Sequence, residues 1–272
     1  MIYNTHEDCK IENPLEINSL FTIFKQKFAS DYLYKGEVHD FAEAVFILEG
    51  KVGVTAGKNV HMLEKGQMIF HPLDEFHNIW SAEGTPEVFI VTFTAAKNIS
   101  GVFSYSEDDL NIIETLYSTA ADAFLFNGIW VTGIKDGGEL KAEIFKKGLE
   151  FLFLKIISGG RKKRQEILSA GAANYNKIVS AMQENVNLNL TCLQLAEKLA
   201  LSVSSLEKTV RKYAGAGAME LFLKMKIKRA KELLGEGKSV KETAFTLGFS
   251  SPYYFSYAFS RQTGMPPSKW KD

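Results

Sequence analysis

One pattern is written twice near the C-terminal end of this chain, and it narrows what that end can fold into. The first copy, residues 195–215, reads LAEKLALSVSSLEKTVRKYAG; the second, residues 243–264, reads TAFTLGFSSPYYFSYAFSRQTG. Superposition places Ala196 on Ala244, Leu199 on Leu247, Leu201 on Phe249 and Ser202 on Ser250. One inserted residue then brings Leu206 onto Phe255, Val210 onto Phe259 and Gly215 onto Gly264. Each copy reads as helix, turn, helix. The small residue lets two helices approach where they cross. Four residues later comes a turn, Ala200-Leu201 or Gly248-Phe249, where glycine accepts the positive φ of a helix C-terminus and the bulky residue fills the gap between helices. Ser202 and Ser250 are then placed to cap the second helix of each pair. One copy alone is equally an ordinary α-hairpin; two at matching offset in a basic segment are not.

The second helix of each pair, about residues 203–212 and 251–262, keeps apolar residues on one side (Leu206 and Val210; Tyr254, Phe255 and Phe259) and a polar face outward. Such a face is what enters a DNA major groove. The outward candidates are Ser204, Ser205, Lys208, Arg211 and Lys212 in the first, and Ser250, Ser251, Tyr253, Ser256, Tyr257, Ser260 and Arg261 in the second. Lys208 and Arg211 suit guanine edges or phosphates equally. Tyr254, Phe255, Phe259 and Trp270 are expected in the core.

Residues 225–270, MKIKRAKELLGEGKSVKETAFTLGFSSPYYFSYAFSRQTGMPPSKW, resemble the DNA-binding domain of the AraC family of transcription regulators. The resemblance implies two helix-turn-helix units joined by a linker helix at about residues 218–234. There Leu221, Met225, Ala230, Leu233 and Leu234 share one side, and Lys224, Lys226, Lys228 and Arg229 dominate the rest. Family members usually carry basic residues where Tyr257 and Ser260 stand, and glycine where Ala200 stands. The second recognition helix is therefore poor in charge, and the first is expected to supply more of the readout.

Charge is divided unevenly. The chain is neutral, with 32 basic and 32 acidic residues, but from Gly171 onward there are 15 Lys and Arg against 8 Asp and Glu. A basic C-terminal part suits a phosphate backbone. Cys9 and Cys192 lack metal or redox spacing, the first residues lack the apolar core of a signal peptide, and no apolar run reaches membrane-spanning length. The expected location is the cytoplasm, with no membrane partner.

From about residue 20 to residue 94 the pattern is short and alternating. The runs 44–48, 52–55, 60–63 and 68–71 are separated by Glu49-Gly50, Gly57-Lys58-Asn59 and Lys65-Gly66, and residues 88–95 add a further strand. The region resembles a cupin, a small jelly-roll barrel, on two spacings: His39, Glu43 and Gly50 (His-x3-Glu-x6-Gly), and Gly66, Pro72 and His77 (Gly-x5-Pro-x4-His). Metal-binding cupins have a second histidine where Glu37 stands, and a glycine where Asp74 stands. Glu37, His39, Glu43 and His77 are the candidate ligand-pocket residues. They line a pocket without resident metal, or hold a divalent ion; no other cofactor is expected. His71 is read as structural, and Trp80 as barrel core.

After Val102 the period lengthens. Ser106 caps a helix whose apolar face is Leu110, Ile113, Tyr117, Ala121 and Phe124. A glycine-containing loop at 127–138 follows, then a helix with Leu140, Ile144, Leu149, Leu152, Phe153 and Ile156 on one face. These helices match the position of the dimerising helices of AraC-like proteins, or pack only on their own barrel. Gly159-Gly160, the basic run 161–164 and Gly171 read as a linker.

The expected fold is α+β in two domains: a cupin/jelly-roll β-barrel (1–104) with a helical dimerisation subdomain (105–158), then a linker (159–173) and an all-α DNA-binding domain (174–272). Its helix-turn-helix units fall at about 191–213 and 239–262. The function this implies is a ligand-responsive transcription regulator. Its expected partners are double-stranded DNA, a small-molecule effector, a second copy of the chain and, for an activator, RNA polymerase. The alternative is a metal-dependent cupin enzyme fused to a DNA-binding domain. Ligand entry is expected to reach the DNA-binding domain through the central helices.

Overall fold

The structure, a computed structural model, describes residue 13 and residues 15–160 and 169–270. Cys9 and the basic run 161–164 lie outside these described residues. An N-terminal antiparallel sheet domain is followed by a helical domain, as the sequence predicts. The strands are β1 (Ile17–Lys27), β2 (Ala42–Ala56), β3 (Asn59–Glu64), β4 (Gln67–His71), β5 (His77–Ala95), β6 (Gly101–Ser104), β7 (Phe124–Asn127) and β8 (Trp130–Ile134). Their order is β6-β4-β2-β5-β1-β8-β7, with β3 paired to β2.

Two long strands, β2 and β5, organise this sheet. The predicted break at Glu49-Gly50 is absorbed inside β2: Gly50 sits at φ 74 and the pairing with β5 slips there, a bulge rather than a turn. Side-chain alternation then sorts the strands into two cores. Ala44, Phe46 and Leu48 face one side with Phe89, Val91 and Phe93, whereas Val45, Ile47, Val52 and Val54 face the other with Val88 and Ile90. Buried Thr22 and Thr92 pair their hydroxyls at 2.8 Å across β1 and β5.

Helices α1 (Glu107–Ala123) and α2 (Glu139–Ser158) cover the first of these faces. Ser106 caps α1 in a reciprocal box with Asp109, as expected of its position. The buried stripe of α1 is Ile113, Leu116, Ala120 and Ala123; Tyr117 and Ala121 turn outward, and Phe124 leaves the helix to begin β7. In α2, Leu149, Leu152, Phe153 and Ile156 are buried as predicted, joined by Ala142 and Phe145, but Leu140 and Ile144 are 79% and 61% exposed. The predicted loop 127–138 holds most of a β-hairpin, β7–β8, turning at Gly128, and β8 extends the sheet beyond β1. Its short strands carry no run long enough to signal them in the sequence.

The helical domain comprises α3 (Ala170–Glu184), α4 (Cys192–Lys198), α5 (Val203–Ala214), α6 (Ala218–Gly235), α7 (Val240–Thr246) and α8 (Pro252–Thr263). α3 begins inside the stretch read as linker: Ser169 caps it, and Gly171 lies in its first turn against the Tyr213 ring. The turns of the two copies make matching hydrogen bonds. Leu201 N donates to Ala196 O and Phe249 N to Ala244 O, both at 3.0 Å; Ala200 N donates to Glu197 O and Gly248 N to Phe245 O at 3.1 and 3.0 Å. Ala200 takes φ 53 where Gly248 takes 68. Ser202 caps α5 as predicted, but Ser251 rather than Ser250 caps α8, because Pro252 needs no N–H partner at the first helical position.

Lys226 corrects the reading of α6 as a helix with its lysines outward. It is 7% exposed, and its ammonium donates to the carbonyls of Val186, Leu188 and Leu247 at 2.7, 2.8 and 2.6 Å. Burial lowers its pKa to about 8, while the three carbonyls favour the charged form. The contact ties the end of α7 to the loop between α3 and α4, locking the two helix-turn-helix units together.

Candidate functional site

A cavity of about 200 Å³ opens in the sheet domain, walled by Phe24, Phe28, Tyr32, Phe41, Ile90 and Trp130. At its polar end the structure brings together all four predicted pocket residues: one donor atom each from Glu37, His39, Glu43 and His77 lies within 4.8 Å of the others. Strand geometry does this. Glu43 is on β2; His77 opens β5 and exchanges backbone hydrogen bonds with Glu37 at 2.9 and 3.1 Å. His71, read as structural, also lines the cavity; it is 1% exposed, stacks on His77 at 4.5 Å and bonds Glu75 at 3.1 Å.

Both imidazoles of the cluster are oriented from behind. His39 Nδ1 bonds the Phe41 carbonyl at 2.8 Å and His77 Nδ1 that of Glu75 at 2.9 Å. Each Nδ1 therefore carries the proton, and each Nε2 is buried without a hydrogen-bond partner. The carboxylates of Glu37 and Glu43 stand 3.7 and 3.6 Å from His77 Nε2, too far for hydrogen bonds. A tetrahedral ion with bonds near 2.1 Å needs donors about 3.4 Å apart, which the two pairs at 3.6 and 3.7 Å approach and the 4.8 Å limit of the whole set exceeds. Two imidazoles and two carboxylates, each imidazole braced by a carbonyl, fit a first-row divalent ion.

Charge is unbalanced here. Burial lowers the His77 pKa, but the Glu43 and Glu37 carboxylates outweigh it and the net shift is upward. Burial also raises the Glu43 carboxyl and drives His71 well down. For Glu37, burial opposes ionisation, yet His77 and the Tyr34 hydroxyl, bonded at 2.9 Å, leave its pKa lowered. Among the described residues, no Lys or Arg lines the cavity.

In the helical domain Ser204, Lys208, Arg211 and Lys212 on α5 are exposed and Ser205 half-buried. Arg211 stands 3.6 Å from Glu207, which also receives the amide of Ala218 at 3.4 Å. On α8 and its approach, Ser250, Tyr253, Tyr257 and Arg261 are exposed, and Ser251, Ser256 and Ser260 half-buried. Ser256 donates its hydroxyl to the Pro252 carbonyl at 2.8 Å, so that proton is committed within the helix. Phe255 and Phe259 are core as predicted, and Trp270 packs on them; Tyr254 is 50% exposed instead.

The strands around the pocket touch the first helix-turn-helix and α6 directly. Trp80, read as barrel core, packs edge-on against Tyr213 of α5, and Val60 and Phe76 enter the core of the first helix-turn-helix. Thr55 donates its hydroxyl to the Tyr213 carbonyl. Asp74 takes the glycine-like φ of 58 that the cupin spacing assigns to this position, and its carboxylate bonds Lys231 of α6 at 3.0 Å. Sequence reasoning missed this junction, since no periodicity marks a contact between domains.

Two helix-turn-helix units with matching turns, and both polar helix faces open, define a DNA-binding domain of the double helix-turn-helix class. Residues 195–272 match the family described as a helix-turn-helix domain. This C-terminal domain, and not the whole chain, is of the AraC type. It is similar to the raffinose operon transcriptional regulatory protein RafR of Pediococcus pentosaceus, 32% identical over 98 residues, covering 36% of this chain and 35% of that protein. The Msm operon regulatory protein of Streptococcus mutans is 32% identical over 108 residues, 39% of each chain. The matches thus span little more than a third of these relatives. Among solved structures, ToxT from Vibrio cholerae aligns over 94% of this chain and 98% of its own at 15% identity, with a TM-score of 0.37. No helix among the described residues is long and apolar enough to cross a membrane.

Proposed function

We propose that the chain is a sequence-specific transcription regulator of the cytoplasm whose sheet domain senses a small effector and whose helical domain reads double-stranded DNA. The observation that carries this reading is the pocket's position: the strands that line it also pack on the first helix-turn-helix. Lys208, Arg211 and Lys212 supply the phosphate or guanine contacts of the first reading head, with Ser204 and Ser205 beside them. Ser250, Ser251, Tyr253, Ser256, Tyr257, Ser260 and Arg261 form the second. The pocket, acidic at its inner end and aromatic around it, suits a neutral or cationic effector.

The orphaned Nε2 atoms of His39 and His77 favour a second reading of the same cluster, in which Glu37, His39, Glu43 and His77 hold a divalent ion. Such an ion supplies a Lewis-acidic coordination point for an oxygen or nitrogen of the effector. The cluster is then part of a sensor and not of an active site; this chain's own residues orient the imidazoles and close the pocket with aromatic rings.

Two copies pair through the exposed apolar stripe of α2, and an activating complex then meets RNA polymerase. The test is fluorescence anisotropy with the DNA upstream of the gene against a scrambled duplex, across a salt titration. Preference for the upstream fragment, with log affinity falling steeply in log salt, is expected. Equal binding to both duplexes at every salt concentration overturns the regulator reading. Metal analysis of the purified protein, with Glu43→Gln beside it, tests the ion.

A further inference from the structure

Residues 33–37 belong to both sites at once. On the barrel side, Leu33 bridges to Trp80, Tyr34 N donates to the Ile79 carbonyl at 2.9 Å, and Glu37 is held to His77 by two backbone bonds. Tyr34 and Glu37 line the cavity, and their side chains are bonded to each other at 2.9 Å. On the other side, Gly36 N donates to the carbonyl of Ala214, the last residue of α5, at 3.2 Å. The Gly36 carbonyl in turn accepts from Lys224 of α6 at 2.6 Å. Lys35 pairs with Glu220 of α6 at 3.2 Å. Asn78, also a pocket residue, donates to the Tyr34 carbonyl.

There is little slack in this segment. A Cβ on Gly36 would run into the Phe76 ring and lie 2.8 Å from the His77 carbonyl; one on Gly215 would lie 2.9 Å from the Asn78 amide and 3.0 Å from Lys35 Cα. Close-packed contacts of this kind shift together or break. The exposed faces of α5 stay open while the contact is made, since Ser204, Lys208, Arg211 and Lys212 remain exposed. Docking therefore does not cover the reading face. It holds the end of α5 and the middle of α6 on one peptide unit.

We propose that residues 33–37 are a strap that transmits the state of the pocket to the DNA-binding domain: side chains facing the pocket and a backbone holding α5 against α6 move as one. The inference rests on the regulator reading above and adds its route and direction. An occupant that displaces Tyr34 or Glu37 shifts Gly36, and loosening the strap weakens DNA binding, because the spacing of α5 and α6 is no longer ordered in advance.

Coupling between two sites is reciprocal, so each side is perturbed and the other read. Lys224→Met removes the hold on Gly36 from the side of α6. Hydrogen exchange of the full chain is expected to speed up at least about fivefold at Glu37 and His77 while the β4–β6 pairing keeps its wild-type rate, and Lys224→Arg is expected to restore most of the protection. From the pocket side, Tyr34→Phe leaves the charge and the α-helical domain untouched; about threefold to tenfold weaker binding to the upstream DNA is expected. Unchanged exchange at Glu37 and His77, or a rise spread evenly over the chain, overturns the strap. So does Tyr34→Phe binding that equals or exceeds wild type. If the wild type shows no sequence preference, the regulator reading fails, and the exchange arm still decides whether the strap exists.

Discussion

Ala200 shows how one residue carries both a fold requirement and a cost. The first turn needs a left-handed residue at the helix end, and Ala200 adopts φ 53 there with a Cβ that glycine lacks. Ala200→Gly is expected to stabilise the helical domain by about 1 kcal/mol, read as a higher Tm, despite glycine's greater freedom when unfolded. Asp109 gives a second residue-scale expectation. Burial raises its carboxyl, but Lys155, bonded at 2.6 Å, and the N–H and hydroxyl of Ser106 outweigh this, so its folded pKa lies below the ordinary value. A lowered carboxylate adds stability that is complete above the unfolded pKa and lost as pH falls through the folded one. Acid titration of Tm should therefore show a steeper loss below about pH 4 in the wild type than in Asp109→Asn.

At the scale of elements, α2 has more apolar surface than its own barrel covers. Leu149, Leu152, Phe153 and Ile156 are buried, whereas Leu140, Ile144 and Phe151 are 79%, 61% and 58% exposed, at spacings that put them along one side. The β7–β8 hairpin adds Leu125 and Ile134, both about half exposed. Exposed apolar residues along one side of a helix fit the proposed pairing of two copies. Leu140→Glu with Phe151→Glu is expected to convert a dimer to monomer in sedimentation velocity. Thermal unfolding of the monomer should shift little, because neither side chain contributes to the core; a monomeric wild type would sink the assignment.

For the molecule as a whole, the two reading heads are unequal. Helix α5 presents Lys208, Arg211 and Lys212, whereas α8 presents Tyr253 and Tyr257 with Arg261 at its end. Lys226 ties the loop before the first helix-turn-helix to the turn of the second, and the proposed function has both heads meet one duplex. If α8 lies along phosphates, Tyr257→Arg should tighten binding and steepen the slope of log affinity against log salt by about 0.9, one further phosphate neutralised. A tighter complex with an unchanged slope would place position 257 on a base edge; no change at all would leave α8 off the DNA.

Much of this was legible in the linear order of residues, and the reason is local. The duplicated helix-turn-helix, the Ser202 cap and the hairpin turns at Gly57 and Gly66 all follow from neighbours a few positions apart, where helical and strand periods act. The resemblance to cupins also gathered Glu37, His39, Glu43 and His77 into one candidate set, although only strand pairing put their donor atoms within 4.8 Å. Other features belong to the tertiary structure alone. Lys226 looks like any exposed lysine until three carbonyls from two segments surround it. Trp80 and Asp74 read as barrel residues until α5 and α6 arrive beside them. Periodicity records which side of an element is apolar and is silent on which neighbour covers it. The helical repeat and the pocket chemistry were therefore determined by the sequence itself, and the strap of residues 33–37 that joins them was decided only when two domains packed on the same peptide group.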